Sequence, residues 1–182
     1  VNPDYIEEIN KDINRLEIIT GRFSQIGSIP KLDPKNIITE TQDAFEYLAN
    51  RSSKLIDFEI DVPRGQLFVM LNKELYAWSI ENLVKNAIDA MDGKTGEMLI
   101  NIAELSEDGV VQITFQDDGR GIQPENIKRI FEPGFSTKKR GWGLGLAFVR
   151  RIIEEYHGGR ISVVQSVPGE GTSFEVVLPV YE

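Results

Sequence analysis

Apolar positions along this chain switch between a spacing of three and four and a spacing of two, and each switch marks an element. After a cap at Asn2, with Pro3 and Asp4 in the first turn, Ile6, Ile9, Ile13, Leu16, Thr20 and Phe23 recur at alternating three and four. That spacing predicts a helix whose apolar seam faces another helix. Gly27-Ser28-Ile29-Pro30 ends it, and a second start signal, Asp33-Pro34, predicts an amphipathic helix through Phe45 and Leu48 to about Arg51. The chain is therefore divided near residue 30, into an N-terminal helix (1–30) and a second domain (31–182).

From Ile56 the period becomes two. Ile56, Phe58, Ile60 and Val62 alternate with polar residues and predict a half-buried strand, which Pro63-Arg64-Gly65 turns into a short strand over Leu67 to Leu71. A long helix follows from Asn72 to about Met91 and breaks at Asp92-Gly93. Met98 to Leu105 and Val110 to Asp117 flank Glu107-Asp108-Gly109 and predict an antiparallel hairpin. Asp118 to Gly145 reads mostly as loop, too long for a mere connection and of the size expected of a functional lid. A last helix, Leu146 to Tyr156, stops at Gly158-Gly159, and strands Ile161 to Val164 and Ser173 to Leu178 flank Pro168-Gly169-Glu170-Gly171. The sum is an α+β two-layer sandwich: a mixed, mostly antiparallel sheet covered on one face by helices.

Composition narrows the function. The net charge of −9 disfavours nucleic acid and acidic membrane surfaces as partners. The absence of cysteine removes disulfides, thiolate nucleophiles and thiolate-bound metals, and fits a reducing compartment such as the cytoplasm. No apolar run is long enough to span a bilayer, and Val1-Asn2-Pro3-Asp4 does not read as a signal peptide. With one histidine and no cysteine, a serine-type triad or a transition-metal site lacks materials.

Four groups carry candidate chemistry. Val111, Ile113, Phe115 and Asp117 share a strand face, which aims the Asp117 carboxylate toward the core side at the strand end. A carboxylate there needs a partner, and an amino donor from a ligand would serve, although an Asp-Gly turn is an equal reading of Asp117-Asp118-Gly119-Arg120-Gly121 taken alone. Asn82, Asn86 and Asp89 sit at i, i+4 and i+7 with Lys85 beside them, so amide oxygens suited to magnesium share a stripe that otherwise reads as a solvated face. Gly141-Trp142-Gly143-Leu144-Gly145-Leu146 opens the last helix, where backbone N–H groups can receive phosphate oxygens, and Lys138-Lys139-Arg140 just upstream is a candidate phosphate clamp. His157, in Tyr156-His157-Gly158-Gly159, reads as structural.

These blocks together resemble the Bergerat-type ATP-binding fold shared by histidine kinases, gyrase B, MutL and the heat-shock chaperone ATPases, from roughly residue 35 to the end. Glu81-Asn82-Leu83-Val84-Lys85-Asn86-Ala87 resembles the N box, and Asp117 to Gly121 the first glycine box. Ile130-Phe131-Glu132-Pro133-Gly134-Phe135-Ser136-Thr137-Lys138 resembles the F box, Gly141 to Leu146 the second glycine box, and Gly169-Glu170-Gly171-Thr172 the last. Five blocks in the expected order are specific, although each alone is weak.

The resemblance implies ATP and Mg2+ as cofactors. It gives Asp117 the adenine amino group, Asn86 the magnesium, Asn82 a place by the phosphates, and Gly141, Trp142, Gly143, Leu144, Gly145 and Leu146 the triphosphate. It adds Lys85, Gly119, Gly121, Ile122, Phe131, Lys138 and Thr172 to the nucleotide set, makes Phe131 to Arg140 the lid, and names Asn82, Lys138 and Arg140 as catalytic. Gyrase-like and chaperone ATPases carry a glutamate base where this chain has Asn82, so the implied activity is phosphoryl transfer to a protein histidine rather than hydrolysis. Many histidine kinases place a lysine where Asp89 stands, which leaves Lys85, Lys138 or Arg140 to supply positive charge. No phosphoacceptor His-Glu box occurs, and the first helix resembles only the second helix of the dimerisation and phosphotransfer hairpin. The expectation is a kinase fragment that binds ATP without phosphorylating itself. Its implied partners are a phosphoacceptor hairpin of the same kinase, a response regulator and, in the full-length protein, a second copy. The rival readings are a gyrase- or MutL-like ATPase and a non-catalytic nucleotide-binding dimerisation module.

Overall fold

The computed structural model describes residues 13, 21, 29–52, 54–138 and 143–181, and the architecture below belongs to the compact unit Leu32–Glu182. The seam helix expected before residue 30 lies outside the described residues.

Strand β1 (Asp33–Asn36) leads into helix α1 (Ile37–Ala49), and β2 (Ile56–Asp61) and β3 (Phe68–Leu71) precede the long helix α2 (Lys73–Met91). The hairpin β4 (Gly96–Leu105) and β5 (Val110–Asp117) comes next, then a single 3-10 turn at Pro124–Asn126. Helix α3 (Gly145–Arg150) continues as a π-helical turn over Arg151–Tyr156, and β6 (Arg160–Val167) and β7 (Gly171–Pro179) complete the fold. Five strands form one sheet in the order β2-β4-β5-β7-β6, antiparallel except for the parallel pair β2 and β4, while β1 and β3 pair antiparallel in a separate ribbon. This is the expected α+β arrangement of a mostly antiparallel sheet packed against helices.

Alternation builds the core. Met98, Ile100 and Ile102 from β4, Val111, Ile113 and Phe115 from β5, and Phe174, Val176 and Leu178 from β7 are buried on the face that meets the helices. Helix α2 answers with Leu75, Ile80, Leu83, Val84, Ala87 and Met91. Its ends follow from side-chain chemistry. Asn72 accepts the Leu75 N–H at 3.1 Å as N-cap, and Asp92 takes the left-handed conformation (φ 52°) that stops the helix. Both outer strands are poor templates: β2 points Asp57, Glu59 and Asp61 into solvent, and β6 is irregular between Val163 and Gln165.

The start of α1 departs from the sequence reading. Asp33-Pro34 does not open the helix; it belongs to β1, paired with β3 from Asp33–Leu71 to Asn36–Phe68. Asn36 is the cap instead, because its Oδ1 accepts from both Ile38 N (3.3 Å) and Leu67 N (3.2 Å), joining the helix start to the neighbouring chain. An Asp-Pro pair serves an extended edge as readily as a helix start, and the partner strand decided between them.

Candidate functional site

Asp117 is the last residue of β5, where its register partners are Met98 and Thr172. Its side chain is 7% exposed, its Oδ1 accepts the Gly119 N–H at 2.9 Å, and the Thr172 backbone N–H also bonds the carboxylate. Burial pushes its pKa up from 3.8 to about 6, against the pull of those two N–H donors and with a small push from Asp118. Asp118 itself faces the other way, its Oδ1 accepting from Glu97 N at 2.9 Å. Within the described residues Asp117 therefore meets backbone donors and no cation.

The glycines of this block are dictated by protein neighbours. A Cβ on Gly119 would stand 2.6 Å from the Ala90 Cβ, and one on Gly121, whose φ is +67°, would stand 2.2 Å from the Val167 carbonyl oxygen. A Cβ on Gly171 would stand 1.9 Å from the Asp117 carbonyl oxygen. The loop after β5 is thus pressed against the end of α2, to which Arg120 N–H bonds at Ala90 O (3.0 Å), and against the β6–β7 turn. Ile122 N–H donates to Ser166 Oγ (2.8 Å), and Ser166 bonds Thr172 Oγ1 (2.9 Å). Ser166 is a supporting residue that sequence reasoning missed, since an isolated serine before a Pro-Gly turn carries no signal.

On α2 the polar stripe is in place, but its members differ. Asn82 Nδ2 donates to Trp78 O (2.9 Å), and its Oδ1 lies 2.7 Å from the position a Cβ would take on Gly145, so the start of α3 rests against the Asn82 amide. Lys85 turns away to Glu81 and is exposed. Lys138 reaches back to the same helix: its Nζ donates to Asn86 Oδ1 at 3.0 Å and pairs with Asp89 Oδ2 at 2.5 Å.

The described base of the segment expected to form a lid is anchored. Ile130 is buried, Phe131 lies edge-on to Phe174 with ring centroids 6.3 Å apart, and the Gly134 N–H bonds Gly143 O at 2.9 Å. Gly143 has φ +64°, and a Cβ there would meet Gly134 C at 2.5 Å. Leu144 and Leu146 are half-buried at the start of α3, and Leu146 packs on the core. Arg140, Gly141 and Trp142 lie outside the described residues.

Residues 77–182 match the family described as Histidine kinase-, DNA gyrase B-, and HSP90-like ATPase. The chain belongs to this ATP-binding family. Sporulation kinase E of Bacillus subtilis (strain 168) is 33% identical over 184 residues, which cover 97% of this chain and 24% of that protein. The nucleotide-free catalytic domain of the histidine kinase ThkA superposes with a TM-score of 0.73 at 28% identity, over 82% of this chain and 96% of that one. ThkA solved in complex with the response regulator protein TrrA matches at 25% identity and a TM-score of 0.73, over 98% of this chain and 51% of that one. The chain spans about a quarter of the length of the curated relatives it matches. The unit described above is thus a histidine-kinase-type ATP-binding catalytic domain.

Within that domain, Asp117, Gly119, Gly121, Ile122 and Thr172 come together around one strand end, and Asn82, Asn86, Lys138, Gly143 and Gly145 around the outer side of α2. Of the other expected site residues, Lys85 turns to Glu81, and Phe131 and Leu146 pack against the core. His157, by contrast, has a full structural role: its Nδ1 donates to Ile152 O (2.8 Å) and its Nε2 accepts the Asn72 N–H (3.0 Å), which fixes the neutral tautomer. Burial lowers its pKa, opposed by the bond to Ile152. Among the described residues, no helix is long and apolar enough to cross a membrane.

Proposed function

We propose that the domain binds ATP with magnesium and transfers the γ-phosphoryl group to a histidine on the phosphoacceptor hairpin of its parent kinase, from which a response regulator then receives it. The supporting observation is the buried Asp117 carboxylate at a strand end, whose hydrogen-bond partners among the described residues are donors, the role that the amino group of a purine would also take. The sole histidine is committed to Asn72 and Ile152, so the acceptor imidazole must come from another segment or chain. In this reading the domain is the cytoplasmic part of a dimeric sensor, with residues 1–30 belonging to the hairpin and 31–182 to the catalytic domain.

Asp117 accepts from the base, Thr172 and Ser166 hold that carboxylate and its loop in register, and Asn82 lies by the phosphates. Asn86 is the protein ligand for magnesium, a role that fits its Oδ1 already accepting a cationic ammonium. Among the described residues no cluster of three or more acidic or imidazole groups gathers, so magnesium would depend on phosphate oxygens for most of its shell. Bound there, the metal supplies charge neutralisation at the phosphates. Lys138 and Arg140 clamp the γ-phosphate, and no carboxylate stands at position 82 to activate water, so positioning for in-line transfer carries the reaction. The direct test incubates the domain with γ-labelled ATP and a separately supplied phosphoacceptor hairpin. Label on the hairpin histidine is the expected result. Steady release of inorganic phosphate by the domain alone, with no labelled hairpin, would replace this reading with that of an ATPase.

A further inference from the structure

The contact between Lys138 and α2 joins residues 52 and 49 positions apart, and both of its acceptors are oxygens. Asn86 and Asp89 sit at i and i+3, on adjacent turns of one helix face, so their Oδ1 and Oδ2 converge on a single positive centre. A neutral amide oxygen beside a carboxylate oxygen is a donor pair that a hard divalent cation prefers, and an ammonium meets the same pair as a weaker, monovalent substitute. The side chains of Lys138 and Asp89 are 32% and 52% exposed, so water competes for the contact and the pair is weak enough to exchange. The lid that carries Lys138 is joined to the start of α3 by the Gly134–Gly143 bond, which keeps the lysine near this face.

We propose that Asn86 and Asp89 form one cation seat on α2, filled by Lys138 while the pocket holds no nucleotide and taken over by magnesium when the metal arrives with ATP, which frees Lys138 for the phosphates. The new element is Asp89, which becomes a metal-facing residue, directly or through a bound water. A carboxylate at that position attracts the metal more strongly than a neutral or cationic side chain would. The identity of the incoming metal rests on the nucleotide reading above. The seat itself rests on the two oxygens and the ammonium.

The probe is ADP with manganese, because ADP lacks the γ-phosphoryl group that Lys138 would contact and manganese is followed directly by electron paramagnetic resonance. Thermal unfolding of each variant first establishes that it folds. Removing the ammonium by K138Q should lower the manganese concentration needed for half-maximal ADP binding by about fivefold, as expected for loss of an exposed competing ion pair. In the K138Q background, D89N should raise that concentration by about tenfold, because a charged oxygen ligand is lost without disturbing any latch. A requirement within about twofold of wild type in both cases, below the effect of a typical exposed ion pair, would show only a surface ion pair and overturn the seat. So would a higher requirement in K138Q alone. If wild type bound no ADP at any manganese concentration, the nucleotide reading would fail by itself. Manganese titrated without nucleotide would then decide the seat: retained by K138Q and lost in D89N/K138Q supports it, and equal binding by the two overturns it.

Discussion

The two clusters of expected site residues, one at each end of the candidate site, are built on opposite terms. At the strand end, Asp117 is buried, its carboxylate is tied to backbone N–H groups, and Gly119, Gly121 and Gly171 leave no room for a side chain. On the outer side of α2, Lys85, Asp89 and Lys138 meet one another or Glu81 through side chains that water reaches. The first end is a preformed shape, fixed by backbone hydrogen bonds and close packing. The second is a set of replaceable ion pairs, suited to a ligand whose charge is delivered with its own metal. Rigidity at one end and exchangeable charge at the other is the contrast, and the proposed function assigns the first to the base and the second to the phosphates.

The sharpest way to break this contrast is at Gly121. Gly121→Ala forces a Cβ to within 2.2 Å of the Val167 carbonyl at a positive φ, and should cost about 3 kcal/mol or more in urea unfolding. A loss near that of an ordinary surface substitution would mean that the loop is not held as described.

Asp117→Asn keeps an acceptor for the Gly119 N–H, so it should fold yet lose about 10- to 100-fold in ADP affinity by calorimetry. The same carboxylate sets a pH dependence. Because its folded pKa is raised from 3.8 to about 6, the ligand-free domain holds the associated stability below pH 3.8 and loses it as pH rises toward 6. Asp117→Asn should therefore stabilise the empty domain at pH 7 by up to about 3 kcal/mol while weakening nucleotide binding. In wild type, ADP affinity should fall as the pH drops below about 6, where the carboxylate takes up a proton.

His157 links the N-cap of α2 to the π-helical turn, through Asn72 N–H and Ile152 O. His157→Ala leaves the Asn72 N–H and the Ile152 carbonyl without this partner and should cost about 2 kcal/mol in thermal unfolding. Its pH sign is opposite to that of Asp117: with a lowered pKa, the neutral imidazole contributes above 6.5 and its contribution disappears as the pH falls through the lowered value. The smallest effect belongs to Lys85→Ala. An exposed i,i+4 pair with Glu81 should change stability by less than about 0.5 kcal/mol, and ADP affinity should stay near wild type. A large affinity loss there would show that the lysine turns to the phosphates when nucleotide binds.

Much of this was legible because the signals were local. The face shared by Val111, Ile113, Phe115 and Asp117 follows from strand alternation alone, and the Asn72 and Asp92 ends of α2 from capping chemistry. What escaped was set by partners far away in sequence. Asp33-Pro34 reads as a helix start until β3 offers it a strand to pair with. The π-helical turn from Arg151 is likewise invisible, since the i to i−5 bond from His157 N to Ile152 O arises where the helix end is fastened to Asn72. The grip of Lys138 on Asn86 and Asp89 crosses about fifty residues, and no spacing rule announces it. Gly119 and Gly121 were expected in the nucleotide set, and the protein neighbours that crowd them, Ala90, Asp117 and Val167, could not be read from the sequence.

The two rims of the large sheet carry one further consequence. A strand whose solvent side bears Asp57, Glu59 and Asp61 repels any acidic ribbon that would add to it, and the irregular step near Val163 denies the opposite rim a continuous row of bonding groups. Neither margin invites fibril growth, so a concentrated, ligand-free sample should resist aggregation through its strands.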